Sequence, residues 1–158
     1  MSEDDLGGIE IPDDLSGLDA ETPPTLALVV TQVAVADALA AACSLAGVDV
    51  DAVPSPVGAL AVLRDPATGL PAAGAVSRLL RQSPVVLLER RDGKISASQW
   101  VAGEHQKDLP AGLVLSGAPQ VLEDLLLGEL PVGEVEGVVT SVGLSRWKAM
   151  RMLAAHRR

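Results

Sequence analysis

Residues 25–53 read TLALVVTQVAVADALAAACSLAGVDVDAV, and this stretch decides the fold class. Its first part, 26–30, is aliphatic throughout, which is typical of a strand buried on both faces. The part at 35–47 has apolar residues at helical spacing and ends in glycine, which predicts a helix. Residues 48–53 alternate between apolar residues and aspartate, which predicts a half-buried strand. A strand, a helix and a second strand in this order indicate an α/β domain.

The rest of the chain extends this pattern. Apolar spacing predicts helices at 57–64, 72–82, 119–127, 132–142 and 145–156. Further strands are predicted at 84–88, 95–101 and 113–115, and the first two are joined through Asp92-Gly93, a pair that suits a tight hairpin turn. We therefore expect an α/β fold with a small mixed sheet and flanking helices, followed by a helical C-terminal unit. The expected divisions are a disordered acidic tail at 1–24, a small α/β domain at 25–116 and a basic helical unit at 117–158.

The first strand–helix–strand unit resembles half of a flavodoxin-like or receiver-like domain. Receiver domains carry acidic residues after their first strand, where this chain has Thr31 and Gln32, and Glu89 rather than aspartate follows the apolar run at 84–88. These departures argue against a phospho-acceptor site.

The charge is distributed very unevenly. The 158 residues carry 12 Lys and Arg against 21 Asp and Glu, giving a net charge of −9. Residues 1–24 hold eight acids and no base, whereas 143–158 hold five bases and no acid. The whole-chain charge excludes a strongly basic nucleic-acid coat protein, and the 48% hydrophobic content excludes wholesale disorder.

The acidic tail has two interpretations. It is either a solubilising segment or an acidic-hydrophobic motif that binds a basic partner or the chain's own basic end. In the second case its anchors are its aliphatic residues, Leu6, Ile9, Ile11, Leu15 and Leu18.

Chemistry-bearing motifs are few. The single cysteine, Cys43, lies in an Ala-rich stretch that favours a small buried side chain over a reactive thiol. No secretion signal or membrane span is expected, which predicts a cytoplasmic protein. No spacing typical of a catalytic triad, a metal site or a nucleotide loop occurs, so we expect no catalytic residues, no metal and no cofactor. Glu104-His105 is the one pair suited to acid–base chemistry. A small enzyme acting through loop 104–107 is therefore one functional hypothesis, ranked below the two binding functions described at the end of this section.

A cationic cluster flanks the predicted hairpin turn and consists of Arg90, Arg91 and Lys94. It predicts either an anion-binding turn or a solvated hairpin tip whose charges discourage pairing with another strand.

The C-terminal stretch at 131–156 has valines at helical spacing, then Gly143, Leu144 and Ser145, then a second apolar and basic helix pattern. It resembles a helix-turn-helix segment. The resemblance implies a turn at Gly143, an N-cap at Ser145 and an inner face formed by Val135, Val138, Val139 and Val142 of the first helix and Ala149, Met152 and Leu153 of the second. The alternative is that the glycines and β-branched valines at 137–142 form a strand, which would remove the motif.

The leading hypothesis is a non-enzymatic regulatory protein that contacts DNA through a C-terminal basic surface. Its residues would be Arg146, Trp147, Lys148, Arg151, Arg157 and Arg158. The alternative is a protein–protein adaptor that docks through the Trp147 helix or the acidic tail, with no nucleic-acid role. The oligomeric state is left open, with a homodimer as one alternative.

Overall fold

The computed structural model describes residues 23–155. Its seven strands are β1 (Leu26–Val30), β2 (Val50–Val53), β3 (Leu60–Leu63), β4 (Val85–Arg91), β5 (Lys94–Val101), β6 (Glu104–Leu109) and β7 (Val139–Thr140). Its five α-helices are α1 (Ala36–Ala46), α2 (Gly69–Leu79), α3 (Ala111–Ser116), α4 (Gln120–Leu127) and α5 (Arg146–Ala155), with single 3₁₀ turns at Pro66–Thr68 and Val132–Glu134. The expected acidic tail, except for its last two residues, lies outside the described residues.

The strands form one sheet in the order β6-β5-β4-β1-β3-β2-β7, and all the pairs are antiparallel. The expected α/β class with flanking helices is confirmed, but the sheet is antiparallel rather than mixed. The reason is that β3 lies between β1 and β2, the two strands that α1 connects. The resemblance to half of a flavodoxin-like or receiver-like domain is therefore wrong, since in those domains the two strands that a helix connects pair directly.

Two local predictions, the helix at 57–64 and the strand at 113–115, are also wrong. The region predicted as a helix at 57–64 contains β3, whose four residues are all buried, and a continuous apolar run does not distinguish a buried strand from a buried helix. The strand predicted at 113–115 lies inside the short helix α3. The hairpin turn is confirmed, since Asp92 and Gly93 have φ angles of 50° and 74°.

Apolar side chains fill both faces of the sheet. Ala27 and Val29 of β1 point to one face, where α1 and α2 cover them and complete the first core. Leu28 points to the other face and packs with Leu122, Leu125 and Leu126 of α4 in the second core. Because both faces are covered, the chain needs the continuous aliphatic runs that its central strands contain.

The C-terminal residues are attached to the sheet and to α1. Thr140 of β7 pairs with Asp51 of β2, and α5 packs along α1. Ser141 is buried, and its hydroxyl donates to the Val48 carbonyl (2.8 Å) and accepts from the Val50 amide (2.8 Å). These contacts fix β7 against the beginning of β2. Among the described residues, no helix has both the length and the apolar character needed to cross a membrane.

Candidate functional site

Helix α5 is positioned by its cap and by its contact with α1. The Ser145 hydroxyl accepts a hydrogen bond from the Lys148 amide (3.0 Å), which confirms the predicted N-cap. Ala149 is completely buried, and Met152 and Leu153 are half-buried, so the predicted inner face of this helix is also confirmed. The packing leaves the opposite side of α5 open to solvent.

The open side of α5 combines large apolar side chains with cations. Trp147 is 69% exposed and Met150 is 53% exposed, and the side chain of Arg151 is exposed one residue further along. Residues three and four apart share one side of a helix, so these three form a single stripe. Arg146 and Lys148 are exposed beside it. We call these five residues the outer face of α5; α5 itself contains no acidic residue.

The first helix of the proposed helix-turn-helix is not formed, so the helix predicted at 132–142 is wrong. The segment contains the 3₁₀ turn at Val132–Glu134 and then β7. Val135 and Val138 pack against the second core while Val139 packs against the first, so the valines are divided between the two faces of the sheet. Gly143 does have the positive φ (86°) expected of a turn glycine. The relation to helix-turn-helix proteins stays a prediction, and Arg157 and Arg158 lie outside the described residues.

The hairpin cations are directed to different places. Arg90 donates to the Leu126 carbonyl at the end of α4 and to the Thr25 hydroxyl (3.1 Å). Arg91 lies 3.5 Å from a carboxylate oxygen of Glu89, and Lys94 is exposed. Successive residues of a strand point to opposite faces, which separates Arg90 from Arg91. In the strand register Arg91 is opposite Lys94, so these two share one face of the hairpin while Arg90 lies on the other, and the three predicted anion-binding residues do not form one cluster.

The loop predicted for acid–base chemistry is part of β6, and its histidine borders a cavity of about 440 Å³. The His105 ring nitrogen Nε2 lies 2.9 Å from a carboxylate oxygen of Asp108, and the ring contacts Trp100 edge-on at 5.5 Å between centroids. Glu104 is not among the residues that line this cavity. The pair singled out from the sequence is therefore divided, and Glu89, which the sequence analysis did not connect with His105, lines the same cavity.

A second cavity of about 440 Å³ lies where α1 ends, bordered by Asp49, Arg64 and Asp65. Asp51 holds the Arg64 guanidinium through two hydrogen bonds of 2.8 and 2.9 Å, and this contact raises the pKa of Arg64 above its ordinary value. Arg64 also donates to the Thr140 hydroxyl (3.1 Å), so its cation is used to hold β2, β3 and β7 together.

Cys43 is buried in the first core, as its Ala-rich surroundings predicted. Burial raises the pKa of its thiol to about 12, which keeps the group protonated at neutral pH. The described residues contain no group of three or more His, Cys, Asp or Glu side chains arranged to hold a metal ion. No family model, curated protein or solved structure matches the chain in the comparisons with known proteins.

Proposed function

We propose that this chain is a non-enzymatic binding protein that docks an acidic, aliphatic protein segment on the outer face of α5. One observation carries the proposal: Trp147 and Met150 are both more than half exposed on the same stripe of a helix that is held in place from behind. Large exposed aromatics are common anchors of protein interfaces.

The apolar part of this surface supplies the affinity. A tryptophan side chain buries about 200 Å², so covering the exposed fraction of Trp147 contributes about 3 kcal/mol at roughly 25 cal/mol/Å². Met150 adds a flexible side chain that adapts to an irregular partner surface. The two residues together provide an anchor that does not depend on salt.

The charged part of the surface supplies the selectivity. Arg146, Lys148 and Arg151 surround the apolar stripe, and α5 has no acidic residue to neutralise them. A partner segment must therefore bring carboxylates together with aliphatic side chains, because like charges across an interface are unfavourable.

Residues 1–22 of this chain have the required chemistry, with eight acids, no base and five leucines and isoleucines. Fully extended, 22 residues span at most about 70 Å, whereas a domain of this size has a radius of gyration of about 14 Å. The segment can therefore reach α5 of its own chain or of a second copy, and it serves as a defined probe for the surface.

The test uses a fluorescently labelled peptide with the sequence of residues 1–22. It is titrated into the full chain whose own tail carries five serine substitutions, so that the tail does not compete: Leu6→Ser, Ile9→Ser, Ile11→Ser, Leu15→Ser and Leu18→Ser. We expect saturable anisotropy that Trp147→Ala with Met150→Ala reduces at least tenfold in affinity. The matched control is Leu113→Ala, which truncates an equally exposed apolar residue on α3.

Two results would overturn this proposal. One is equal affinity of the double variant and the Leu113→Ala control. The other is equal affinity for a peptide that carries the same five serine substitutions, because binding would then follow charge alone.

A second candidate function, DNA binding, is favoured by the exposure of Arg146, Lys148 and Arg151 on one helix. Such a contact would be to phosphates, and its affinity would fall steeply with salt. Anisotropy with labelled duplex DNA at two salt concentrations tests it. Loss of binding on changing all three cations to alanine, with no loss for Trp147→Ala, supports the DNA function over the protein-docking function.

We further propose that the protein acts in the cytoplasm. Its single cysteine, Cys43, leaves the chain without an internal disulfide, and proteins without disulfides are typical of reducing compartments.

A further inference from the structure

One cavity is formed on the sheet itself, on the side that α2 covers, and is separate from the outer face of α5. It is lined by side chains of β4, β5 and β6 and by Leu70 near the start of α2. In the strand registers Glu89 is opposite Ser96, and Ser98 is opposite Asp108. Directly opposed residues share a face, so these four side chains converge on one side of the sheet.

Glu89 is the unusual member of this cavity. Only 8% of the residue is exposed, although it is a carboxylate in a strand that is otherwise apolar up to this point. Its single ion pair within the described residues is the 3.5 Å contact with Arg91, and no described residue donates a hydrogen bond to it. Buried carboxylates are costly unless charges or donors compensate them, and Glu89 has only the Arg91 contact among the described residues, so its carboxylate has capacity to accept a further donor.

The neighbouring backbone makes room for this carboxylate. A Cβ at position 69 would lie 2.6 Å from the Glu89 oxygen Oε2, so a larger residue there would displace the end of the Glu89 side chain. The local sequence is thus consistent with keeping a charged group at this place.

The remaining lining completes a site for a cation with hydrogen-bond donors. The Ser98 hydroxyl accepts from the Trp100 indole N–H (3.0 Å), and neither Ser96 nor Ser98 donates a hydrogen bond to another described residue. Asp108 adds a second carboxylate, 86% exposed, whose Oδ1 contacts His105. The exposed side chain of Leu70 supplies an apolar wall.

We propose that this cavity binds a small aliphatic diamine in its doubly protonated form. One ammonium group donates to Glu89 and to the serine hydroxyls, the methylene chain lies against Leu70, and the second ammonium group is held by Asp108. Two strand spacings and a shift of two residues place the Cα atoms of Glu89 and Asp108 about 12 Å apart. Carboxylates that lean toward each other from these Cα positions come within the span of a diamine of four or five carbons.

The test titrates putrescine into the full chain at low ionic strength, monitored by calorimetry and by amide NMR shifts. Saturable binding with shifts concentrated at Ser96, Ser98 and His105 is expected. Asp108→Asn should reduce the affinity for putrescine to that for butylamine, which has one ammonium group. Glu89→Gln should weaken both ligands by about tenfold or more, as expected for loss of a hydrogen bond to a charged group.

The matched control is Glu104→Gln, which removes a carboxylate from the same strand as Asp108 but outside the cavity. Asp108 is exposed, so its variant keeps the test decisive even if Glu89→Gln fails to fold. Shifts that are spread over acidic surfaces, or equal putrescine affinities for Asp108→Asn and Glu104→Gln, would overturn the proposal.

Discussion

The substitution Ser141→Ala tests how the C-terminal residues are held to the sheet. The Ser141 hydroxyl is 2.8 Å from both the Val50 amide and the Val48 carbonyl, and the residue is only 4% exposed. Alanine keeps the backbone bond from the Ser141 amide to the Val50 carbonyl (2.9 Å). The change therefore removes the two side-chain hydrogen bonds and little else.

The expected loss of stability follows from the burial of the two backbone groups that lose their hydrogen bonds. Val50 is fully buried, and an unsatisfied buried amide costs about 1–3 kcal/mol. The Val48 carbonyl belongs to a half-buried residue and adds about 1 kcal/mol. We expect the free energy of unfolding to fall by about 2–4 kcal/mol, which lowers the urea midpoint by about 1–2 M for a domain of this size.

Urea unfolding followed by far-UV circular dichroism measures this change. The matched control is Ser116→Ala, since the Ser116 hydroxyl also donates to a carbonyl, that of Leu113 (2.8 Å), but at an exposed position. The control should lose less than about 0.5 kcal/mol. Equal urea midpoints for the two variants would refute the conclusion that the buried Ser141 hydrogen bonds stabilise the attachment of β7 to β2.

Three further predictions concern stability and reactivity. Because burial raises the pKa of Cys43 to about 12, its thiol should react with DTNB at pH 8 only when the protein is unfolded. Its contribution to stability is complete below the ordinary thiol pKa and is lost as the pH rises toward 12, which urea midpoints measured beside Cys43→Ala would show. Gly58→Ala would place a Cβ 2.2 Å from the Thr31 carbonyl oxygen at a φ of 126°, and should lower the free energy of unfolding by more than about 3 kcal/mol in the same urea assay. Gly93→Ala is the control, because position 93 has a φ of 74° but open space around it, and should lower the free energy of unfolding by only about 1 kcal/mol. Ala102 has a φ of 51° in the turn between β5 and β6, so Ala102→Gly should raise the thermal midpoint, with a gain of about 0.5–1 kcal/mol; a lower midpoint would contradict this.

Local signals were sufficient where neighbouring residues determine the structure. The turn at Asp92-Gly93 and the cap at Ser145 depend on interactions within a few residues, and β1 is marked by the aliphatic run of its own residues. These predictions are confirmed because the same physical preferences operate in the folded chain.

Long-range pairing explains the errors. β3 has Leu, Ala, Val and Leu, a composition that suits either a helix or a strand, and only its position between β1 and β2 makes it a strand. Val139 and Thr140 lie in a stretch whose valines have helical spacing, but they are extended because β2, about 90 residues earlier, provides hydrogen bonds. The antiparallel order follows from this same insertion of β3.

The cavity at Glu89 could not be predicted from the sequence for a different reason. Its lining residues extend from Leu70 to Leu109 along the chain, and each has an ordinary local role in a helix or strand. The one available signal was a glutamate that ends an aliphatic run, which the sequence analysis used only to argue against a phospho-acceptor. Strand register, which local patterns do not specify, brings Glu89 and Asp108 to one side of the sheet.

The attachment of β7 to β2 has a consequence for synthesis on the ribosome. The edge of β2 and its partner at Ser141 are separated by 91 residues. At about 5–20 residues per second, the nascent chain therefore presents an unpaired strand edge for roughly 5–20 s. During that interval the edge is open to pairing with other chains, so the yield of native protein should depend on translation speed and chaperone supply.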